Sequence, residues 1–288
     1  MVINAKAFAK INLFLEITGK RPDGYHNLET IMQTVGLCDE LSFELSEDVS
    51  LSVNSTFHFP LSTFPTDSQN IIIKAAFALK QKFNITQGVK ITLAKNIPTG
   101  AGLGGGSSDA AATLKSLIKL WNIKIDSGEL NAIAARLGAD VPFFLTGGTA
   151  LCEGIGEIVS QLRVTNYELR DKYSLVIVKP SVSVSTPEAY KKVKLPFKNP
   201  QNIKAIKTAI ENGSFGLQRA KELCFNRFEE LVFPDYPEIA KVKEVLTNAG
   251  CAAMMSGSGS AVFGFFNPAD KVKVESTISN FRHWFIAA

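Results

Sequence analysis

The chain has 288 residues, 45% hydrophobic and 20% charged, enough for one large or two modest domains that fold without disulfides or a structural metal. Its four cysteines form no Cys-x-x-Cys pair and none lies near a histidine at zinc-finger spacing, which points to free thiols in a reducing compartment. A net charge of only +4 on scattered lysines and arginines argues against nucleic-acid binding. With no leader pattern and no apolar run of bilayer length, a cytoplasmic protein is expected.

Residues 7–17 alternate. Ala7, Ala9, Ile11, Leu13, Leu15 and Ile17 share a small or apolar face, and Phe8, Lys10, Asn12, Phe14 and Glu16 share the other. A period of two predicts a strand with one core face and puts Lys10 and Asn12 on the same side. Pro22-Asp23-Gly24 is a turn signal. Residues 41–45, 51–53 and 89–93 are predicted strands. After a glycine-rich stretch, Ala110, Leu114, Leu117, Ile118 and Trp121 recur at helical spacing, with Ser107 or Ser108 available as cap. A second helix follows Ser127 and is stopped by Gly138. Farther on, residues 175–178 predict a strand, and Thr186-Pro187-Glu188 starts a helix with proline in its first position. Ile239, Val242, Val245 and Leu246 mark a helix ending near Gly250. Residues 261–266 predict a strand, and Asn267-Pro268-Ala269 opens the last helix. The mixture lacks a regular βαβ repeat, so the class is α+β, with domains over 1–150 and 151–288.

The stretch Pro98-Thr99-Gly100-Ala101-Gly102-Leu103-Gly104-Gly105-Gly106-Ser107-Ser108 carries the chemistry. Glycines without Cβ atoms let backbone N–H groups wrap an anion, and the loop feeds a helix N-terminus that favours phosphate. A flexible turn before a capped helix is the plain alternative, but it rarely needs five glycines in seven residues. Gly100-x-Gly102-x-x-Gly105 has dinucleotide-fold spacing, yet two predicted helices follow where that fold needs a strand ending in an acidic residue. No Walker signature and no protein-kinase motif set occurs in the sequence.

Together with Ala9-Lys10-Ile11-Asn12-Leu13 and Met255-Ser256-Gly257-Ser258-Gly259-Ser260, this loop resembles the three ordered motifs of the GHMP kinases, over residues 9 to 264. Gly19-Lys20-Arg21-Pro22-Asp23-Gly24-Tyr25-His26 and Gly138-Ala139-Asp140-Val141-Pro142 narrow the resemblance to a branch whose substrate carries cytidine diphosphate. The resemblance implies a two-domain GHMP kinase fold. Its N-terminal domain would be ribosomal-protein-like with a left-handed βαβ element, and its C-terminal domain an α/β sandwich. It also implies an ATP- and magnesium-dependent phosphorylation of a cytidine diphosphate-linked methylerythritol, a step of isoprenoid precursor synthesis. Monomer and homodimer both remain open. Homoserine or mevalonate kinase is the alternative within the family. A non-enzymatic nucleic-acid module is the alternative outside it, and that reading needs clustered basic residues rather than a glycine loop.

The resemblance also assigns roles. By position alone, Asp140 reads equally as a helix cap before Pro142 and as a carboxylate partly desolvated by the apolar run after it. The family makes it the base. Lys10 alone reads as a snorkelling surface lysine. The family makes it catalytic, orienting Asp140 and the substrate hydroxyl. The glycine loop from Pro98 to Ser108 takes the phosphates of ATP, and Asn70 and Lys95 belong to the adenosine side. Tyr25 and His26 hold the cytosine with Tyr190 as the second aromatic wall, while Asn12 and Thr186 reach the substrate. Ser108 is the protein ligand for magnesium, with phosphate oxygens and water completing its shell.

Overall fold

A computed structural model describes residues 1–55, 64–164, 173–197 and 201–287. The chain divides into two compact units. The first holds Met1–Ala9, Leu37–Thr99 and Gly104–Gly147; the second holds Lys10–Gly36, Gly100–Leu103 and Gly148–Ala288. The last crossing falls at Gly147. The stretch after Lys10 and four residues of the glycine loop group with the later half of the chain.

In the first unit, strand β3 (Val49–Ser55) runs parallel to β4 (Gly88–Lys95), and helix α1 (Ile71–Phe83) makes the crossover. On its other edge β4 pairs antiparallel with the second half of β2 (His26–Ser46), Leu41 opposite Leu93 and Phe43 opposite Ile91. Helices α2 (Gly105–Leu120), α3 (Ser127–Leu137) and α4 (Val141–Thr146) complete the unit. Ala75 and Ala76 of α1 and Ala110 and Ala111 of α2 are fully buried; small side chains let these helices pack closely. No expected element covered α1. Its β-branched opening, Ile71-Ile72-Ile73, is a weak helix signal. It is offset by the Asn70 cap and by burial of Ile72 and Ile73.

In the second unit, the first half of β2 pairs antiparallel with β5 (Thr149–Gly154), and β5 with β6 (Ile158–Gln161). Strand β1 (Val2–Lys20) pairs in parallel with the two-residue β8 (Phe225–Asn226) at Phe14 and Leu15. A second sheet, all antiparallel, has the order β11 (Arg282–Ala287), β7 (Ser174–Lys179), β10 (Val262–Phe266), β9 (Ala252–Met255). Helices α5 (Thr186–Lys191), α6 (Lys204–Glu211), α7 (Leu217–Leu223), α8 (Phe228–Val232), α9 (Pro237–Asn248) and α10 (Lys271–Ile278) belong to this unit. Ile239, Val242 and Leu246 form the apolar stripe of α9 and join Val176, Val178, Val262, Phe266 and Val274 in one core.

Several local expectations change. Strand β1 has no solvent face where it matters: Lys10, Asn12, Phe14 and Glu16 are at most 3% exposed, like the apolar residues between them. Helix α2 starts at Gly105 with Gly104 as its N-cap, so neither Ser107 nor Ser108 caps it. Asp126, not Ser127, opens α3, accepting from Glu129 N at 2.9 Å. Ser185 caps α5, and Pro187 takes its second position. Pro268–Asp270 is a 3-10 turn ahead of α10. Among the described residues no helix is long and apolar enough to cross a membrane.

Candidate active site

The first unit carries the helix end of the glycine loop. Gly104 sits at φ 69°, in the left-handed region. Helix α2 then begins with no side-chain cap and no acidic residue in its first turn. The leading N–H groups of Gly105, Gly106 and Ser107 therefore lack intrahelical partners, at the positive end of the helix dipole. This geometry accepts an anion, and a Cβ would spoil it: on Gly105 it would lie 2.9 Å from Ile97 Cγ2 and 3.1 Å from Lys95 Nζ.

Beneath that turn lies a buried charge cluster. Lys95 Nζ donates to Asp39 Oδ2 at 2.5 Å and to Asp109 Oδ2 at 2.7 Å. Asp39 Oδ1 also accepts the backbone N–H groups of Asn96 (2.6 Å) and Ile97 (2.7 Å). Asp109 Oδ1 has no hydrogen-bond partner among the described residues. Burial pushes Asp109 up to about 8; Lys95 pulls against that rise and Asp39 adds to it. Burial alone would lower Lys95, but Asp109 and Asp39 together hold its ammonium above the usual lysine range. The Lys95 side chain thus serves the cluster. Asn70 has local work too: its Oδ1 accepts from Ile72 N at 2.8 Å and its Nδ2 donates to Pro65 O at 2.6 Å. Both residues expected on the adenosine side build the floor of the loop and the start of α1.

Asp140 is half-buried at the N-cap position of α4, but it makes no capping hydrogen bond. Its backbone is already helical (φ −82°, ψ −12°) rather than extended as a capping residue requires. The cap reading is therefore corrected. Its turn lies beside the start of α2: a Cβ on Gly138 would stand 3.4 Å from Val141 Cγ2 and 3.8 Å from Ser107 Oγ.

The second unit carries Lys10. Its Nζ donates to Asn12 Oδ1 at 2.7 Å, Asn12 Nδ2 donates to Thr30 Oγ1 at 2.8 Å, and Thr30 Oγ1 donates to Phe14 O at 2.6 Å. This chain fixes the orientation of the Asn12 amide and ties the lysine to β1, so the expected snorkelling is absent. Lys10 N also donates to Leu103 O at 3.0 Å, which joins β1 to the glycine loop. The late loop closes on the same place. Ala261 N donates to Ala101 O at 3.1 Å and Ser256 Oγ to Gly102 O at 2.9 Å. A Cβ on Gly257 would lie 3.4 Å from Lys10 Nζ. Thr186 Oγ1 and Ser258 Oγ share a hydrogen bond of 2.8 Å, so Thr186 also braces this loop.

Of the aromatic residues, the structure joins His26 to Tyr190: their rings stack at 5.3 Å between centroids and 18° between planes. Tyr190 in turn meets the Phe228 ring edge-on at 4.9 Å. Burial, with Lys20 adding, holds His26 below the usual imidazole range, which favours the neutral ring in this stack. Tyr25 is 61% exposed. Sequence reasoning passed over Thr30, Asp39, Asp109 and Asn226. No local pattern marks the partners of Asp39 or Asn226, whereas Asp109 ends the glycine motif itself.

Residues 70–148 match the GHMP kinases N terminal domain and residues 206–282 match the GHMP kinases C terminal region. The 4-diphosphocytidyl-2-C-methyl-D-erythritol kinase of Caldicellulosiruptor saccharolyticus is 43% identical over 279 residues, covering 96% of this chain and 92% of that protein. Its namesake from Chlorobium phaeobacteroides is 45% identical over 268 residues, covering 92% and 89%. A crystal structure of 4-(cytidine 5'-diphospho)-2C-methyl-D-erythritol kinase aligns with a TM-score of 0.77 at 32% identity, over 99% of this chain and 98% of that one. Homoserine kinase from Cytophaga hutchinsonii, 18% identical with a TM-score of 0.67 over 99% and 94% of the two chains, shares the fold alone. The mixed α and β units, the uncapped glycine loop and these relatives place the chain in the GHMP kinases and, within them, in the 4-diphosphocytidyl-2-C-methyl-D-erythritol kinase family.

Proposed function

We propose that the protein moves the γ-phosphoryl group of ATP onto the 2-hydroxyl of 4-diphosphocytidyl-2-C-methyl-D-erythritol. The products are the 2-phosphate and ADP, in the methylerythritol phosphate route to isoprenoids. One observation carries the reading: the uncapped, acid-free start of α2. It ends a loop whose Leu103 carbonyl accepts the Lys10 N–H and whose Ser107 lies beside the turn of Asp140.

Phosphoryl transfer asks a protein for positioning and charge stabilisation more than for covalent chemistry. The glycine-loop N–H groups hold the phosphates. Asp140, not engaged in capping, takes the hydroxyl proton. Lys10, oriented by Asn12, steers that hydroxyl and offsets charge as it moves. The His26–Tyr190 stack supplies one wall for the cytosine and the exposed Tyr25 ring the other, while Asn12 and Thr186 line the route to the hydroxyl. Asn70 and Lys95 shape the adenosine side from beneath. Among the described residues no cluster of three or more His, Cys, Asp or Glu could hold a metal. A magnesium ion would ride on the phosphate oxygens, with Ser108 in the first turn of α2 as its protein contact. When bound, the ion neutralises phosphate charge.

The test is ADP release with 4-diphosphocytidyl-2-C-methyl-D-erythritol, homoserine and mevalonate side by side. Turnover with the first alone is expected. Turnover with homoserine or mevalonate at a comparable kcat/KM would move the protein to another branch of the family.

A further inference from the structure

Strand β8 is only two residues long, yet Asn226 within it is 2% exposed and its side-chain amide makes three hydrogen bonds to backbone. Nδ2 donates to Met255 O at 2.7 Å and to Gly257 O at 2.8 Å, and Oδ1 accepts from Phe228 N at 3.0 Å. A terminal amide is the side chain that offers two N–H donors on one short, rigid stem, so it can grip two carbonyls of one turn.

The strand that presents this amide is itself pinned to β1. Arg227 N donates to Leu15 O at 2.9 Å. The buried Arg227 guanidinium grips both Glu16 oxygens, at 2.8 and 2.6 Å, and lies over the Phe197 and Phe225 rings at 4.4 and 4.7 Å. A bidentate guanidinium–carboxylate pair fixes geometry as well as charge. Glu16 stands on the same side of β1 as Lys10 and Asn12, by the two-residue period. The turn held by Asn226 meets the catalytic machinery: a Cβ on Gly257 would be 3.1 Å from Gly102 O and 3.4 Å from Lys10 Nζ.

We infer that Asn226 is a positioning residue for phosphoryl transfer: anchored to β1 by the Glu16–Arg227 pair, its amide sets the Met255–Gly257 turn against Gly102 and the Lys10 ammonium. The inference rests on the reading of Lys10 and the glycine loop as the active site. Asn226 touches no reacting atom and acts through the turn.

Asn226→Asp isolates the effect. The acid keeps the volume and the bond from Phe228 N, and when ionised it loses both donated bonds. On protonation it regains one donor. Asn226→Ala has no donor at any pH. With ATP and 4-diphosphocytidyl-2-C-methyl-D-erythritol, the Asp variant at pH 8 should lose about tenfold to a hundredfold in kcat, the worth of two neutral hydrogen bonds. The KM of the cytidylyl substrate should stay within twofold. That deficit should shrink toward pH 6, while the Ala deficit should not. Amide hydrogen exchange over residues 255–261 reads the turn without turnover and should quicken in both variants. Wild-type kcat in the Asp variant, identical pH profiles for both variants, or unchanged exchange would each overturn the inference. A wild-type protein inert toward the cytidylyl substrate refutes the assigned activity instead, and the exchange experiment still decides the role of Asn226.

Discussion

Gly102 and Ser256 stand so close that no side chain fits between them. Ser256 Oγ donates to Gly102 O at 2.9 Å, and a Cβ on Gly102 would lie 1.9 Å from the Ser256 carbonyl oxygen. Two glycine-rich loops, 154 residues apart in sequence, are thereby locked together by backbone and one hydroxyl.

Gly102→Ala should therefore do more than strain a turn. Gly250 is the control, because it too has a positive φ (99°, against 74° for Gly102) but has nothing within 4 Å of an added Cβ. Gly250→Ala should cost about 1–2 kcal/mol, the price of a left-handed alanine. Gly102→Ala should cost clearly more, since one loop must move, and should abolish most ADP release. Denaturant melts and ADP assays on the two variants make the comparison; equal stability losses would show that the loops separate freely.

Asp140→Asn should lower kcat by about 10²–10⁴, the usual worth of a general base. Asparagine keeps the shape of the side chain, so the variant should still fold, which a thermal melt reads. Lys10→Met should lower kcat comparably, and the double variant should lose far less than the product of the two. Steady-state kinetics on the three variants checks this, and multiplicative losses would separate the two residues mechanistically.

Asp109 gives a pH dependence of stability. Burial lifts it to about 8 in the folded protein, above the unfolded carboxylate value of about 3.9. Between those values the native state holds a proton that the unfolded chain has released. This contribution to stability is thus complete below about pH 4 and is lost as the pH rises toward about 8. Asparagine cannot titrate. The stability of wild type minus that of Asp109→Asn should fall steadily from pH 5 to pH 8 in urea melts. A flat difference would mean that Asp109 is ionised throughout, as a simple partner of Lys95.

The aromatic wall yields an ordering. Tyr190 is stacked on His26 and braced by Phe228, whereas Tyr25 is largely exposed. A preordered ring contributes more to base stacking than a mobile one, because less freedom is lost on binding. Tyr190→Ala should reduce kcat/KM for the cytidylyl substrate by about tenfold or more, and Tyr25→Ala by less. Cytidine should also be preferred over uridine- and adenosine-linked analogues on wild type. Equal kcat/KM for the three bases would remove nucleobase recognition from the site.

Sequence alone determined what lies in local, repeating or clustered residues. The alternation through Lys10 and Asn12 marked β1, and the glycines before a helical period marked the loop that opens α2. These signals survive without a fold because periodicity and missing Cβ atoms are properties of adjacent residues. Tertiary structure decided that β1 is buried on both faces from Ala9 to Ile17: Lys10 looked like a surface lysine and is held in a buried chain to Thr30. It also decided that Lys95 faces Asp39 and Asp109, that His26 rather than Tyr25 stacks on Tyr190, and that Arg227 meets Glu16 across 211 residues. Such pairings leave no local period, because a charged or amide side chain reads as polar wherever it stands. Only packing of distant elements determines whether its partner is water or another buried group.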